Sequence, residues 1–155
     1  MKITDKSLTK TVHLPCTLET LWKRWTTHEG LLTFFGRDNK IELIPGGTFE
    51  IYFLLENPVG MRGAEGCKIL SYLPQKMLTF SWNTPPGFSA QRASGYYTWV
   101  VLFFDAIDES TSSITLAHYG WPDDENWIPI YDYFDKAWDV VLHNLKHSLE
   151  VSNDA

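Results

Sequence analysis

The sequence predicts an α+β fold of helix-grip layout, in which a curved antiparallel sheet of six or seven strands wraps around one long C-terminal helix. Three observations carry this expectation. Trp127 to Leu149 is apolar along one side only: Trp127, Ile130, Tyr131, Phe134, Trp138, Val141, Leu142, Leu145 and Leu149 fall within an arc of roughly 120° at about 3.6 residues per turn. Before it, the period changes to the two-residue alternation of strands. Those strands follow one another through short turns instead of crossover helices, which is the signature of antiparallel pairing.

Each element can be justified in order. Ser7 to Leu14 alternates apolar and polar residues and ends at Pro15, as a first strand would. Thr17 is placed to cap a helix, Glu19 favours its positive end, and Leu18, Leu21, Trp22 and Trp25 share one side of it. A second short helix is expected over Leu31 to Phe35, between Gly30 and Gly36. Thr48 to Leu54 alternates with Phe49, Ile51 and Phe53 on one side, and Pro45-Gly46-Gly47 before it suits a hairpin turn. Gly66 to Tyr72, Met77 to Trp82, Thr98 to Phe104 and Ser113 to Trp121 read as further strands; the first of these has no definite inward side. The connections Glu56 to Glu65 and Asn83 to Tyr96 exceed what hairpins need, and each is expected to be either a pocket rim or an ordinary surface loop. Asp123-Asp124-Glu125 caps the final helix, and Pro129 fits its first turn, where a missing N–H costs nothing.

A chain of 155 residues with 44% hydrophobic content suits one core, hence one domain over residues 1–155. The net charge of −6, with 13 scattered basic residues, argues against a nucleic-acid partner. The N-terminus lacks a signal-peptide pattern, and no run of about eighteen apolar residues suggests a membrane span, so a cytoplasmic location is expected. Cys16 and Cys67 lie far apart with no metal or redox spacing, and reduced thiols are expected of both.

Catalytic and cofactor signatures fail on inspection. No phosphate-cradling loop is present, and Gly60, Gly63 and Gly66 fall in a strand connection. His143 and His147 have a chelating spacing but lie opposite the apolar arc, so no metal is expected there. Neither cofactor nor catalytic residue is assigned. His118 stands apart because it shares strand parity with Ile114 and Leu116 and so faces the helix. It is either a core histidine satisfied by neighbours or the polar anchor of a cavity ligand, and it is the first choice for the latter. The apolar residues expected to surround such a ligand are Phe49, Ile51, Phe80, Trp82, Leu102, Tyr131, Phe134 and Trp138, with Phe88 dipping in from the Asn83 to Tyr96 connection.

Several stretches together resemble the SRPBCC superfamily, also called START-like. They are Pro15 through Leu31; Gly46-Gly47-Thr48-Phe49; Gly66 through Pro74 and Leu78 to Trp82; Ser113 through Trp121; and the last helix with Tyr131, Phe134, Asp135, Trp138, Leu142 and Leu145. Within it the match is to the branch named after the activator of the heat-shock-protein-ninety ATPase. The resemblance implies the START-like helix-grip fold. It implies one of three functions, since that superfamily includes ligand carriers, cyclases and co-chaperone domains. Binding of a small apolar or amphipathic molecule is the first expectation. An enzyme of the cyclase, isomerase or hydrolase kind using His118 or Tyr131 is the second. A module with a chaperone partner is the third, favoured if aromatic residues are exposed on the sheet's outer side, with Glu50 and Tyr52 among them.

Overall fold

The computed structural model describes residues 1–153, in the order β1 (Leu8–Leu14), α1 (Leu18–Thr26), α2 (His28–Leu32), β2 (Asp38–Ile41), β3 (Phe49–Tyr52), β4 (Ile69–Leu73), β5 (Met77–Trp82), α3 (Ser89–Ala93), β6 (Thr98–Ala106), β7 (Ser112–Tyr119) and α4 (Ile128–Asn153). A 3-10 turn, Glu125–Trp127, leads into α4. The strands pair antiparallel throughout, β1-β7-β6-β5-β4 in one sheet and β2-β3 as a separate hairpin.

The single sheet expected from the sequence is thus divided into five strands and two. The division follows from the chain between β3 and β4. Gly66 takes a left-handed conformation (φ 83°), and a Cβ there would meet the Tyr97 hydroxyl at 2.4 Å. That kink interrupts regular pairing, so β3 and the residues flanking it meet the following chain at isolated points, among them Phe49 N donating to Cys67 O at 2.9 Å, Ala64 N donating to Ile51 O at 2.8 Å and Ile69 N donating to Gly47 O at 2.8 Å. The strand read from Gly66 therefore starts at Ile69. Its uncertain parity has a cause, because the register shifts between Ile69 and Ser71 and leaves Ile69 buried with Leu70 exposed.

The other strands alternate as their sequences dictate. Leu78, Phe80 and Trp82 on β5, Val100, Leu102 and Phe104 on β6, and Ile114, Leu116 and His118 on β7 all point inward. They meet Ile130, Phe134, Trp138, Leu142, Leu145 and Leu149 of α4, forming one continuous core. Thr17 caps α1 by accepting from Thr20 N, and Asp124 accepts from Asn126 N at 2.8 Å ahead of α4. Trp127 belongs to the 3-10 turn, so α4 begins one residue later than its periodicity suggests.

The second short helix also departs from its expected bounds. It spans His28–Leu32, because Thr27 Oγ1 accepts from Gly30 N at 3.0 Å and starts the helix early. Gly30 lies inside it instead of before it. A Cβ there would stand 2.3 Å from Lys23 O, so glycine allows α2 to press against the end of α1. Lys10 of β1 reaches Asp135 and Asp139 of α4 at 2.8 and 2.9 Å, holding the helix to the sheet's edge strand.

Candidate functional site

Between α4 and one end of the sheet lies a cavity of about 720 Å³. Helical spacing supplies one wall: Tyr133, Ala137 and Val140 lie along one line of α4, and Phe134, Trp138 and Val141 along the next. The opposite wall is Trp82 at the end of β5, Phe35 after α2, and Phe53 with Leu54 after β3. Phe35, Trp82 and Trp138 meet as a cluster, with ring centroids 5.5 to 5.8 Å apart. Both long connections complete the rim, through Arg62, Gly63 and Ala64 on one side and Asn83, Pro85, Pro86, Gly87 and Phe88 on the other.

The two rims are tied together. Arg92, on α3, donates through Nη1 to Gly63 O (2.9 Å) and Thr84 O (2.7 Å) and through Nη2 to Gly60 O (2.6 Å), and it pairs with Glu65 Oε1 at 3.2 Å. Glu65 in turn accepts from the Arg62 and Gly63 amides, at 2.9 and 2.7 Å. Burial would raise the Glu65 carboxyl, but these amides and the Arg92 charge outweigh it and hold the group below its usual range. Asn83 Nδ2 adds bonds to Gly63 O and Glu65 O. The Asn83 to Tyr96 connection is therefore a clasped rim containing a short helix, α3.

His118 lies elsewhere. It is fully buried, and both ring nitrogens are paired to protein groups. Trp138 Nε1 can only donate, so its 3.0 Å bond makes His118 Nδ1 the acceptor. Nε2 then carries the proton and donates to Thr98 Oγ1 at 2.6 Å, and Thr98 Oγ1 donates onward to Trp82 O at 3.2 Å. The network is complete only with a neutral ring, and burial pushes the His118 pKa down to about 3. The ligand anchor expected here is corrected to a core histidine whose partners come from β6 and α4.

Of the residues expected around a ligand, Trp82, Phe88, Phe134 and Trp138 line the cavity. Phe49, Ile51, Phe80 and Leu102 do not, each being fully buried in the core. Strand parity reports which side a residue faces, not how far along the helix it sits, and these four are the cost of that blindness. Tyr131 is also outside the cavity: its hydroxyl donates to Ser7 O at 3.0 Å and its ring packs on Trp121. The α4 wall positions missed by periodicity are Tyr133, Ala137 and Val140, which flank the apolar arc instead of lying within it, while Phe35 and Phe53 join the wall from segments outside α4.

These features can be set beside known proteins. The family model described as "Activator of Hsp90 ATPase homolog 1-like protein" matches residues 15–150. Among solved structures the chain is similar to protein MLL2253 from Mesorhizobium loti (TM-score 0.74, 16% identity, covering 94% of this chain and 97% of that one). It is similar to the Aha1 dimer from Colwellia psychrerythraea (TM-score 0.68, 16% identity, 94% and 97%). It is similar to PFC0360w, an HSP90 activator from Plasmodium falciparum (TM-score 0.68, 16% identity, 93% and 96%). At such identities the structural likeness carries the fold alone. No curated protein matches the chain.

Proposed function

The chain belongs to the Activator of Hsp90 ATPase homolog 1-like family, an Aha-type branch of the SRPBCC superfamily, and from that premise we propose that it is a single domain that binds a small, largely apolar molecule between the sheet and α4. The cavity carries this proposal, because about 720 Å³ lined by aromatic and aliphatic groups falls within the roughly 300–1,000 Å³ of small-molecule sites. A carrier is favoured over an enzyme by the state of the two groups considered for proton handling. His118 and Tyr131 are each bonded within the protein, and neither lines the cavity. Cys16 and Cys67, both free and buried, suit the reducing environment of a cytoplasm. No helix among the described residues is long and apolar enough to cross a membrane.

Ala137→Trp tests the proposal. Ala137 is half-buried in the cavity wall, so an indole there fills the space a ligand would need. The neutral probe 1-pyrenebutanol, followed by fluorescence anisotropy, is expected to bind the wild type and to lose at least about tenfold in affinity on this substitution. Undiminished binding to the variant would place the probe outside the cavity and remove the proposal.

A specific observation also favours a second function, that of a protein-interaction module. On the outer side of the sheet Trp99, Tyr119 and Phe103 are 36%, 36% and 49% exposed, and Trp99 pairs directly with Tyr119 across β6 and β7. Glu50 and Tyr52, expected among such exposed residues, are instead half-buried and bonded to each other at 2.5 Å. PFC0360w carries the name of an HSP90 activator. If this chain acts likewise, it stimulates the ATPase of an HSP90-type chaperone and Phe103→Lys weakens the stimulation. Absence of stimulation by the wild-type protein would remove this function.

A further inference from the structure

We propose that the molecule held in the cavity is an amphipathic carboxylate, its apolar body against the aromatic wall and its anionic head at the mouth beside Arg62 and Lys136. This rests on the ligand-binding function proposed above and names the chemical class that the site selects.

The first argument is the sign of the charges. In a chain of net charge −6, the charged residues that line the cavity are Arg62 and Lys136, and no Asp or Glu lines it. The second is that these cations are unused. Lys2, Lys10, Lys23, Arg37 and Arg92 each pair with a carboxylate. Among the described residues, neither the Arg62 Nη nitrogens nor Lys136 Nζ makes a hydrogen bond or ion pair. The third is positioning. Arg62 Nε donates to Asn57 O at 2.8 Å, which holds the half-buried guanidinium while leaving its outer nitrogens available. Lys136 precedes Ala137 and Val140 on the wall-forming stretch of α4 and is exposed, as a group at a mouth should be.

The interior argues for the other half of the ligand. Trp138 Nε1 and Asn83 Nδ2 are already committed to His118 and to backbone carbonyls. What remains for a ligand to touch is mainly the rings of Phe35, Phe53, Trp82 and Phe134 and the side chain of Val141. A polar body would lose its hydration there without replacement, whereas an apolar one gains by burial. A carboxylate at the mouth keeps part of its water and meets two cations next to an apolar surface, where charge attraction is screened less than in bulk water.

The experiment compares two probes of the same shape, 1-pyrenebutyrate and neutral 1-pyrenebutanol, by fluorescence anisotropy. Wild-type protein is expected to bind the carboxylate about tenfold more tightly at low ionic strength, an advantage that shrinks as salt is added. In the double variant Arg62→Met, Lys136→Met the ratio of the two affinities should fall to near one. Lys136→Glu, an exposed change on α4 that leaves the core untouched, should bring the ratio to one or below even if the double variant fails to fold. Equal affinities in the wild type would overturn the carboxylate assignment while leaving the cavity as a binding site. A preference that persists in Lys136→Glu and in the double variant would overturn it as well. Binding of neither probe would overturn the ligand-binding function and this inference together.

Discussion

Trp138→Ala is expected to destabilise the protein by about 3 to 5 kcal/mol. Trp138 is 1% exposed although it borders the cavity, and its ring meets Phe35, Trp82, Phe134 and His118. Truncation removes those contacts and also leaves His118 Nδ1 without a donor. Trp138→Phe separates the two effects, because it keeps an aromatic ring and removes the N–H. Trp25 provides the control: it is equally buried, but its Nε1 has no hydrogen-bond partner among the described residues. Trp138→Phe should therefore cost about 1 to 3 kcal/mol more than Trp25→Phe, as measured by urea denaturation. A loss below about 1 kcal/mol for Trp138→Ala would mean that the cavity, and not packing, dominates around this residue.

Acid should weaken the fold through His118. In the unfolded chain this imidazole takes up a proton near its ordinary value of about 6.5, whereas in the fold burial holds it neutral down to about pH 3. Between those limits the unfolded state binds one more proton than the native state, so stability falls as pH falls. The slope is about 1.4 kcal/mol per pH unit well inside the window, and the loss is on the order of 4 kcal/mol across it. Above the window both states are neutral at this residue and the contribution is flat. His118→Phe should lose this slope. It should also lower the starting stability by about 1 to 3 kcal/mol, because Trp138 Nε1 loses its acceptor. The difference between the two stability curves against pH isolates the histidine from carboxylates such as Glu65, which are common to both proteins. Parallel curves would show that His118 is charged or solvated in the native state.

What could be foreseen in the sequence is what local pattern controls. Alternation in β5, β6 and β7 put Phe80, Leu102 and Leu116 on the inner side, the 3.6-residue period found α4, and Thr17 and Asp124 cap where side-chain oxygens at those positions should. Parity even turned His118 inward. Its role was not legible, because its partners Thr98 and Trp138 each lie twenty residues away and reach it only after β6, β7 and α4 have packed. The clasp between Arg92 and Glu65 escaped for the same reason, since neither loop carries a local signal that its charge will be buried against the other. The place where α4 parts from the sheet depends on Phe35 and Phe53, from segments outside any strand, and on the bulky loop residues Pro85, Pro86 and Phe88. No period encodes such a gap.

The bond from Trp138 to His118 has a consequence for how the protein can change. A helix lying on a sheet can roll about its axis or slide along it, and apolar packing alone resists both only gradually. A 3.0 Å bond between an indole and a ring fixed in β7 sets the roll angle of α4 as a key sets a shaft. Tyr133, Ala137, Val140 and Val141 stand beside that key without taking part in it. Exchanging those four should therefore reshape the interior without displacing the helix that presents it, giving the domain a lining that can be edited while its frame stays locked.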